Sequence, residues 1–141
     1  MFDYDCGASV MRKRLCCVGL FALIPLGALA ADVAVLNARL QHSGGGSWRA
    51  DVTLEHADSG WDHYADAWRV VSKDGVVYGV RTLLHQHESE QPLTRLQSGI
   101  MIPKTETRVY IEAHDKVHGW APQRLQVDLS KAIDGKLQVS R

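Results

Sequence analysis

Apolar and polar residues alternate along most of the chain after residue 30, which is the two-residue period of a half-buried β-strand. The pattern is clearest in "SWRADVTLEH", where Trp48, Ala50, Val52 and Leu54 share one face. Apart from one turn at "SKAID", no stretch has a convincing helical period. Seven strands are therefore predicted, at residues 33–41, 47–56, 65–72, 76–84, 93–102, 108–114 and 123–129.

Turn residues separate these strands. The glycines of "SGGGS" join the first two into a hairpin, and Lys73-Asp74-Gly75 joins the third to the fourth. Short strands with turn signals every 8–12 residues or so are typical of all-β folds. We therefore predict an immunoglobulin-like or fibronectin-like β-sandwich of about seven antiparallel strands, with Trp68 in its core.

The segment "MRKRLCCVGLFALIPLGALA" has the three parts of a secretory signal peptide: a basic start, an apolar centre and a small-residue end. Cleavage after Ala30 is expected, which makes residues 1–30 an upstream extension and signal peptide, and residues 31–141 a single domain. The apolar run is shorter than the roughly 20 residues that cross a bilayer. We expect a periplasmic or secreted protein without stable membrane insertion after cleavage. Met1 and Met11 both remain candidate start sites.

All three cysteines, Cys6, Cys16 and Cys17, precede residue 31, so neither a disulfide nor thiolate chemistry is expected in the rest of the chain. Lipid attachment at Cys16 or Cys17 is not expected, because Arg14 and Leu15 stand where small residues and an apolar core would be needed. Sixteen Lys and Arg balance 16 Asp and Glu, and no basic stripe is present. Nucleic acid is therefore not an expected partner.

Histidine is the unusual residue, and its distribution predicts a binding site. In a sandwich of this kind, the connections at residues 57–64, 85–92 and 115–122 emerge at one end, here called the loop pole. Imidazoles with carboxylates and no sulfur suit Zn(II) or Cu(II). His85 and His87, two residues apart, point to the same side of an extended chain. The candidate metal ligands are five of the seven histidines: His63, His85, His87, His114 and His118.

Five further residues near the loop pole are candidates for supporting or ligand-binding roles: Trp61, Asp62, Glu88, Asp115 and Trp120. Each also has an ordinary structural interpretation as a turn residue, a solvated charge or a ring packed over the core. The alternative to a metal site is therefore a metal-free module in which the tryptophans and the acidic loop bind another envelope protein or a small solute. Because no G-x-S-x-G elbow occurs, we favour a binding protein over an enzyme.

Three motifs are long enough to be specific: W-D-H-Y-A-D, H-x-H-x-x-E-Q-P and H-D-x-V-H-G. They lie in "LEHADSGWDHYADAWRV", "LLHQHESEQPLTR" and "AHDKVHGW", within a region, roughly Val52 to Trp120, that makes up most of the chain after residue 30. In these segments the chain resembles a family of small, uncharacterised exported proteins of Gram-negative bacteria. The resemblance implies a periplasmic protein of about this size and implies no activity.

Overall fold

The computed structural model describes residues 32–141, and in these residues two antiparallel sheets pack against each other. The predicted upstream extension and signal peptide, residues 1–30, lie outside the described residues. The nine strands are β1 (Ala34–Gly44), β2 (Ser47–Glu55), β3 (Ala65–Val71), β4 (Val77–Thr82), β5 (Leu93–Met101), β6 (Arg108–Asp115), β7 (Gly119–Trp120), β8 (Leu125–Asp128) and β9 (Lys136–Ser140). One short 3-10 helix, Leu129–Lys131, follows β8.

The strands divide between the sheets in a simple way. The first sheet has the order β5-β2-β1-β9, and the second has the order β4-β3-β6, with both β7 and β8 pairing with β6. The prediction of an all-β sandwich is confirmed, and all seven predicted strands are present with ends shifted by three residues or fewer. The immunoglobulin-like assignment remains a prediction. The sequence pattern missed two strands, β7 and β9.

Alternation along the strands builds the core. Every second residue of β2 and β6 is buried, and the inward rows are Ala50, Val52 and Leu54 on β2 and Val109, Ile111 and Ala113 on β6. Trp68 on β3 is fully buried between the two sheets, as predicted. Within residues 32–141, no helix is long and apolar enough to cross a membrane.

One side of the sandwich closes where two strands of different sheets meet. Gly79 on β4 faces Ile100 on β5, and a Cβ added at Gly79 would lie 2.9 Å from Ile100 Cγ1. No other residue would fit there without displacing a buried side chain. Gly79 therefore sets how closely β4 approaches β5.

Candidate metal centre

Hydrogen bonds bring the three predicted loops together at the loop pole. The backbone N–H of His87 donates to Asp58 Oδ2 at 2.7 Å, which ties the β4–β5 loop to the β2–β3 loop. Lys116, just after β6, donates through its backbone to the Tyr64 carbonyl and through Nζ to the Trp61 carbonyl. The side chains of these loops therefore share one surface.

Two inward-facing rows of the core end in polar residues at this pole. On β2 the row of Ala50, Val52 and Leu54 continues into His56, which is 4% exposed. On β6 the corresponding row continues into Asp115, which is fully buried. Because the two strands belong to opposite sheets, their last inward residues face each other, and His56 Nε2 lies 3.9 Å from Asp115 Oδ2.

Asp58 fixes the orientation of the His56 ring. Its Oδ1 lies 2.6 Å from His56 Nδ1 and also accepts a hydrogen bond from the backbone N–H of Ala65 at 3.0 Å. An ionised Asp58 requires His56 Nδ1 to carry a proton, and in the neutral ring this leaves a lone pair on Nε2. This carboxylate–histidine arrangement is the usual support behind a metal-bound imidazole. Nε2 is the atom that points toward Asp115.

Asp115 is held as a buried anion. Burial by itself would raise the pKa of Asp115, but hydrogen bonds to its carboxylate, above all those from the backbone N–H groups of His118 and Val117, hold that pKa below its usual value. The His118 ring, with Nδ1 at 3.1 Å from each carboxylate oxygen, acts in the same direction. Gly119, with φ of 79°, completes the turn that brings these groups back onto Asp115.

A second imidazole meets the carboxylate next to His56. His63 Nε2 is buried, has no hydrogen-bond partner and lies 3.5 Å from Asp115 Oδ1. The ligand atoms of His56, His63 and Asp115 all lie within 4.8 Å of one another, and we call these three residues the inner group. Hydrogen bonds between nitrogen and oxygen have a usual length of about 2.7–3.2 Å, so the gaps of 3.5 and 3.9 Å are longer than direct hydrogen bonds.

These nitrogen–oxygen separations fit an ion that is bound by all three residues of the inner group. Zn(II) bonds of about 2.0–2.2 Å in tetrahedral geometry place neighbouring ligand atoms roughly 3.3–3.6 Å apart. The nitrogen–oxygen separations in the inner group are close to this range. Two neutral imidazoles and one carboxylate are also ligands that Zn(II) and Cu(II) accept. The inner group could therefore bind a divalent transition metal after small side-chain movements.

Of the residues predicted from the sequence, the structure brings His63, His118 and Asp115 together. His85 and His87 contact each other instead, with ring centroids 4.5 Å apart, and neither belongs to a group of three ligand atoms among residues 32–141. His87 is 5% exposed, and both of its ring nitrogens are buried without a partner. Burial lowers the pKa of His87, and the nearby Arg95 guanidinium and His85 ring act in the same direction.

His114 and Trp120 lie on the outer face of the second sheet. His114 is adjacent to Asp115 on β6, so the two side chains leave the strand on opposite faces. His114 Nδ1 lies 2.5 Å from Asp66 Oδ1, and the His114 ring packs against Trp120. The Arg69 guanidinium covers the Trp120 ring, at 3.7 Å from its centroid. These residues form a separate cluster on the surface and do not belong to the inner group.

The other predicted supporting residues lie at the rim of the loop pole. Trp61 is 60% exposed and contacts Tyr64 at a centroid distance of 6.2 Å, whereas the Trp120 ring packs against His114. Asp62 and Glu88 are exposed. None of the three belongs to the inner group.

The sequence analysis missed His56 as a candidate ligand, although a signal for it was present. The alternation of Ala50, Val52 and Leu54 places residue 56 on the same buried face. A histidine that continues a buried apolar row needs a polar partner at the end of the core. Asp58, two residues later, is that partner.

Comparison with known proteins yields one informative relative. Over 107 residues the chain is 42% identical to a protein of the halophilic archaeon Halomicrobium mukohataei named "Putative lipoprotein". The match covers 76% of this chain and 52% of the relative, so the chain spans about half the length of the protein it matches. No family model matches the chain, and no solved structure matches it significantly. The resemblance to exported proteins of Gram-negative bacteria remains a prediction, because this relative comes from an archaeon.

Proposed function

We propose that this chain is an exported metal-binding module that holds one Zn(II) or Cu(II) ion through His56 Nε2, His63 Nε2 and the Asp115 carboxylate. The observation that carries the proposal is the hydrogen bond between Asp58 and His56, which directs a lone pair of a buried imidazole toward Asp115 and the unpartnered His63 nitrogen. Export is supported by the predicted signal peptide and by the name of the archaeal relative.

The local environment supports metal binding at this position over a simple polar cap. A buried carboxylate is stabilised when cations or hydrogen-bond donors approach it, and a buried imidazole nitrogen without a partner costs free energy of about 1–3 kcal/mol. An ion between these groups would give the unpartnered His63 nitrogen a partner and place a positive charge beside the Asp115 carboxylate. Two imidazoles with one carboxylate leave room for water or a further ligand on the metal, as in open zinc sites.

The experiment is a thermal-shift and calorimetric titration of the purified protein with Zn(II) and Cu(II), with Mg(II) as the comparison ion. Binding to the folded state alone stabilises it by about 2.7 kcal/mol when the free ion is at a hundredfold excess over the dissociation constant. His63→Gln should abolish this gain, because His63 contributes a ligand atom and makes no hydrogen bond through Nε2. His56→Ala is less suitable, since it leaves the Asp58 carboxylate without its imidazole partner.

Three histidine variants are matched controls. His85→Ala, His114→Ala and His42→Ala each remove an imidazole outside the inner group and should leave the metal-dependent gain in place. A flat titration with both Zn(II) and Cu(II) excludes the proposed function. Loss of binding in His85→Ala or His114→Ala, with binding retained in His63→Gln, would move the site away from the inner group and to the variant histidine, which the sequence also predicted as a ligand.

A second candidate function is a metal-free interaction module. The observation that favours it is the exposure of apolar side chains on the loops of the pole: Leu84 at 77%, Trp61 at 60% and Val117 at 59%. Large apolar side chains that cluster on a surface are typical of contact sites for another protein or a small ligand. Trp61→Ala should then abolish capture of an envelope partner, while His63→Gln should not.

A further inference from the structure

Asp115 also belongs to a second group of ligand atoms at the loop pole. Oxygen or nitrogen atoms of Asp32, Asp115 and His118 lie within 4.8 Å of one another, and we call these three residues the outer group. Asp115 is the residue that the outer group shares with the inner group. The inner group is largely buried, whereas Asp32 and His118 are exposed.

The first sheet holds Asp32 in this position. Val33, the next residue, is 2% exposed and packs in the core. Because β1 and β2 are antiparallel, with Ala34 opposite Glu55, the start of β1 lies beside the end of β2, where His56 follows. The Asp32 carboxylate therefore lies at the same pole as the inner group.

The Asp115 carboxylate is suited to bridging. His118 Nδ1 lies 3.1 Å from both of its oxygens, while His63 Nε2 and His56 Nε2 approach one oxygen each. An ionised carboxylate has about four lone-pair sites, and the backbone N–H groups of Val117 and His118 both donate to Oδ1. Oδ2 accepts its hydrogen bond from the His118 ring and none from the backbone, and a cation bound between His118 and Oδ2 would displace that ring proton.

We infer that the outer group binds a second divalent cation, which shares the Asp115 carboxylate with the ion in the inner group. This inference rests on the proposed function, because it needs the first ion on Asp115. The outer group offers two carboxylates and one imidazole, which is a harder, more oxygen-rich ligand set than that of the inner group. Asp32 and His118, its exposed members, are solvated. Repulsion between two nearby cations also opposes the second binding step. The second ion therefore binds more weakly than the first.

The test is native mass spectrometry combined with calorimetric titration of the purified protein, with Zn(II) as the probe. The wild-type protein should bind two ions in two steps of different affinity. Asp32→Asn should bind one ion, with the affinity of the tighter step unchanged. Asp62→Asn is the matched control, since it removes an exposed carboxylate from the same pole without changing either group, and it should bind two ions.

The outcomes separate this inference from the proposed function. A wild-type protein that binds one ion, lost in His63→Gln, overturns the second cation and leaves the proposed function intact. Two ions in Asp32→Asn also overturn the outer group. No bound ion removes both proposals. If Asp32→Asn has a lower melting temperature than the wild type in the absence of metal, His118→Asn provides the test. It removes a different ligand of the outer group and should also bind one ion.

Discussion

The carboxylate of Asp58 accepts a 2.6 Å hydrogen bond from the ring of His56, and this contact connects the inner group to the rest of the fold. The same oxygen accepts from the backbone of Ala65 at the start of β3, and the other oxygen accepts from the backbone of His87. Gln91 strengthens the connection, since its side chain accepts from the backbone N–H of His56 and donates to the His87 carbonyl. The Asp58 carboxylate and the Gln91 amide thus hold the His56 imidazole in place and connect the β2–β3 loop to the β4–β5 loop.

Asp58→Asn should weaken metal binding by about 10–100-fold, the usual loss when the partner of a metal-bound histidine is changed. An asparagine cannot accept on both sides, so its amide N–H₂ would face donors from either His87 or the pair His56 and Ala65. The mismatch should also lower the free energy of unfolding by about 1–3 kcal/mol. Calorimetric titration with Zn(II) and chemical denaturation measure the two effects.

Asp66→Asn is the control for this variant. Asp66 makes an equivalent contact with His114, at 2.5 Å, but on the outer face of the second sheet. Because that pair is outside the inner group, Asp66→Asn should leave the zinc affinity unchanged. Equal losses of affinity in both variants would show that the effect is a general destabilisation and not the orientation of His56.

Stability without metal should fall as the pH decreases below about 6.5, the ordinary pKa of a histidine. Burial, with Arg95 and His85 nearby, lowers the pKa of His87 in the folded state, whereas the unfolded state keeps an ordinary value of about 6.5. Below that value the unfolded chain takes up the proton first, so acidification favours unfolding, and the loss continues until the pH passes the folded pKa. Denaturation curves in EDTA at several pH values measure this slope.

His87→Gln should make the pH dependence shallower, since glutamine does not titrate. His42→Gln, which changes an exposed histidine at the opposite end of β1, should leave the slope as in wild type. If the slope is the same in all three proteins, His87 is not its source.

Much of the fold could be predicted from the sequence because a two-residue period is a local property. The inward rows of β2 and β6 and the turn at Asp74-Gly75 are visible in short windows. β9 was missed because its pairing partner is β1, about a hundred residues earlier, as in the contact of Asn37 with Ser140. Its own sequence, KLQVS, does alternate polar and apolar residues, so a local signal was present, but it is only five residues long.

The site was harder to predict than the fold because it depends on which face each histidine occupies. The loops and three of the residues, His63, His118 and Asp115, could be identified from topology. Strand alternation places the His114 and Asp115 side chains on opposite faces of the second sheet. This could be predicted only if β6 were known to extend to residue 115. The burial of His87 depends on the hydrogen bond from its backbone to Asp58, which no local pattern reveals.

Gly79→Ala should lower the free energy of unfolding by about 1–3 kcal/mol, the usual cost of overpacking a well-packed core. The added Cβ would lie 2.9 Å from Ile100 Cγ1 and 3.3 Å from Cγ2, so β4 and β5 would be pushed apart. In an Ile100→Ala background both of those atoms are absent, and the same substitution should cost less. A double-mutant cycle by chemical denaturation measures this coupling, and strictly additive effects would contradict the packing argument.

The N-terminus of the exported protein should be Ala31, because Ala28-Leu29-Ala30 matches the small-residue pattern that precedes signal-peptide cleavage. Lipid attachment at Cys17, which the preceding Arg14 and Leu15 disfavour, is the alternative outcome. Intact-mass measurement separates the two, since the lipid-modified form would retain residues 17–30 and add the mass of its acyl chains. The difference affects the proposed outer group, because Asp32 would follow a free amino terminus in the first case and a tethering segment in the second. A mass that begins at Cys17 with added lipid would overturn the predicted cleavage site.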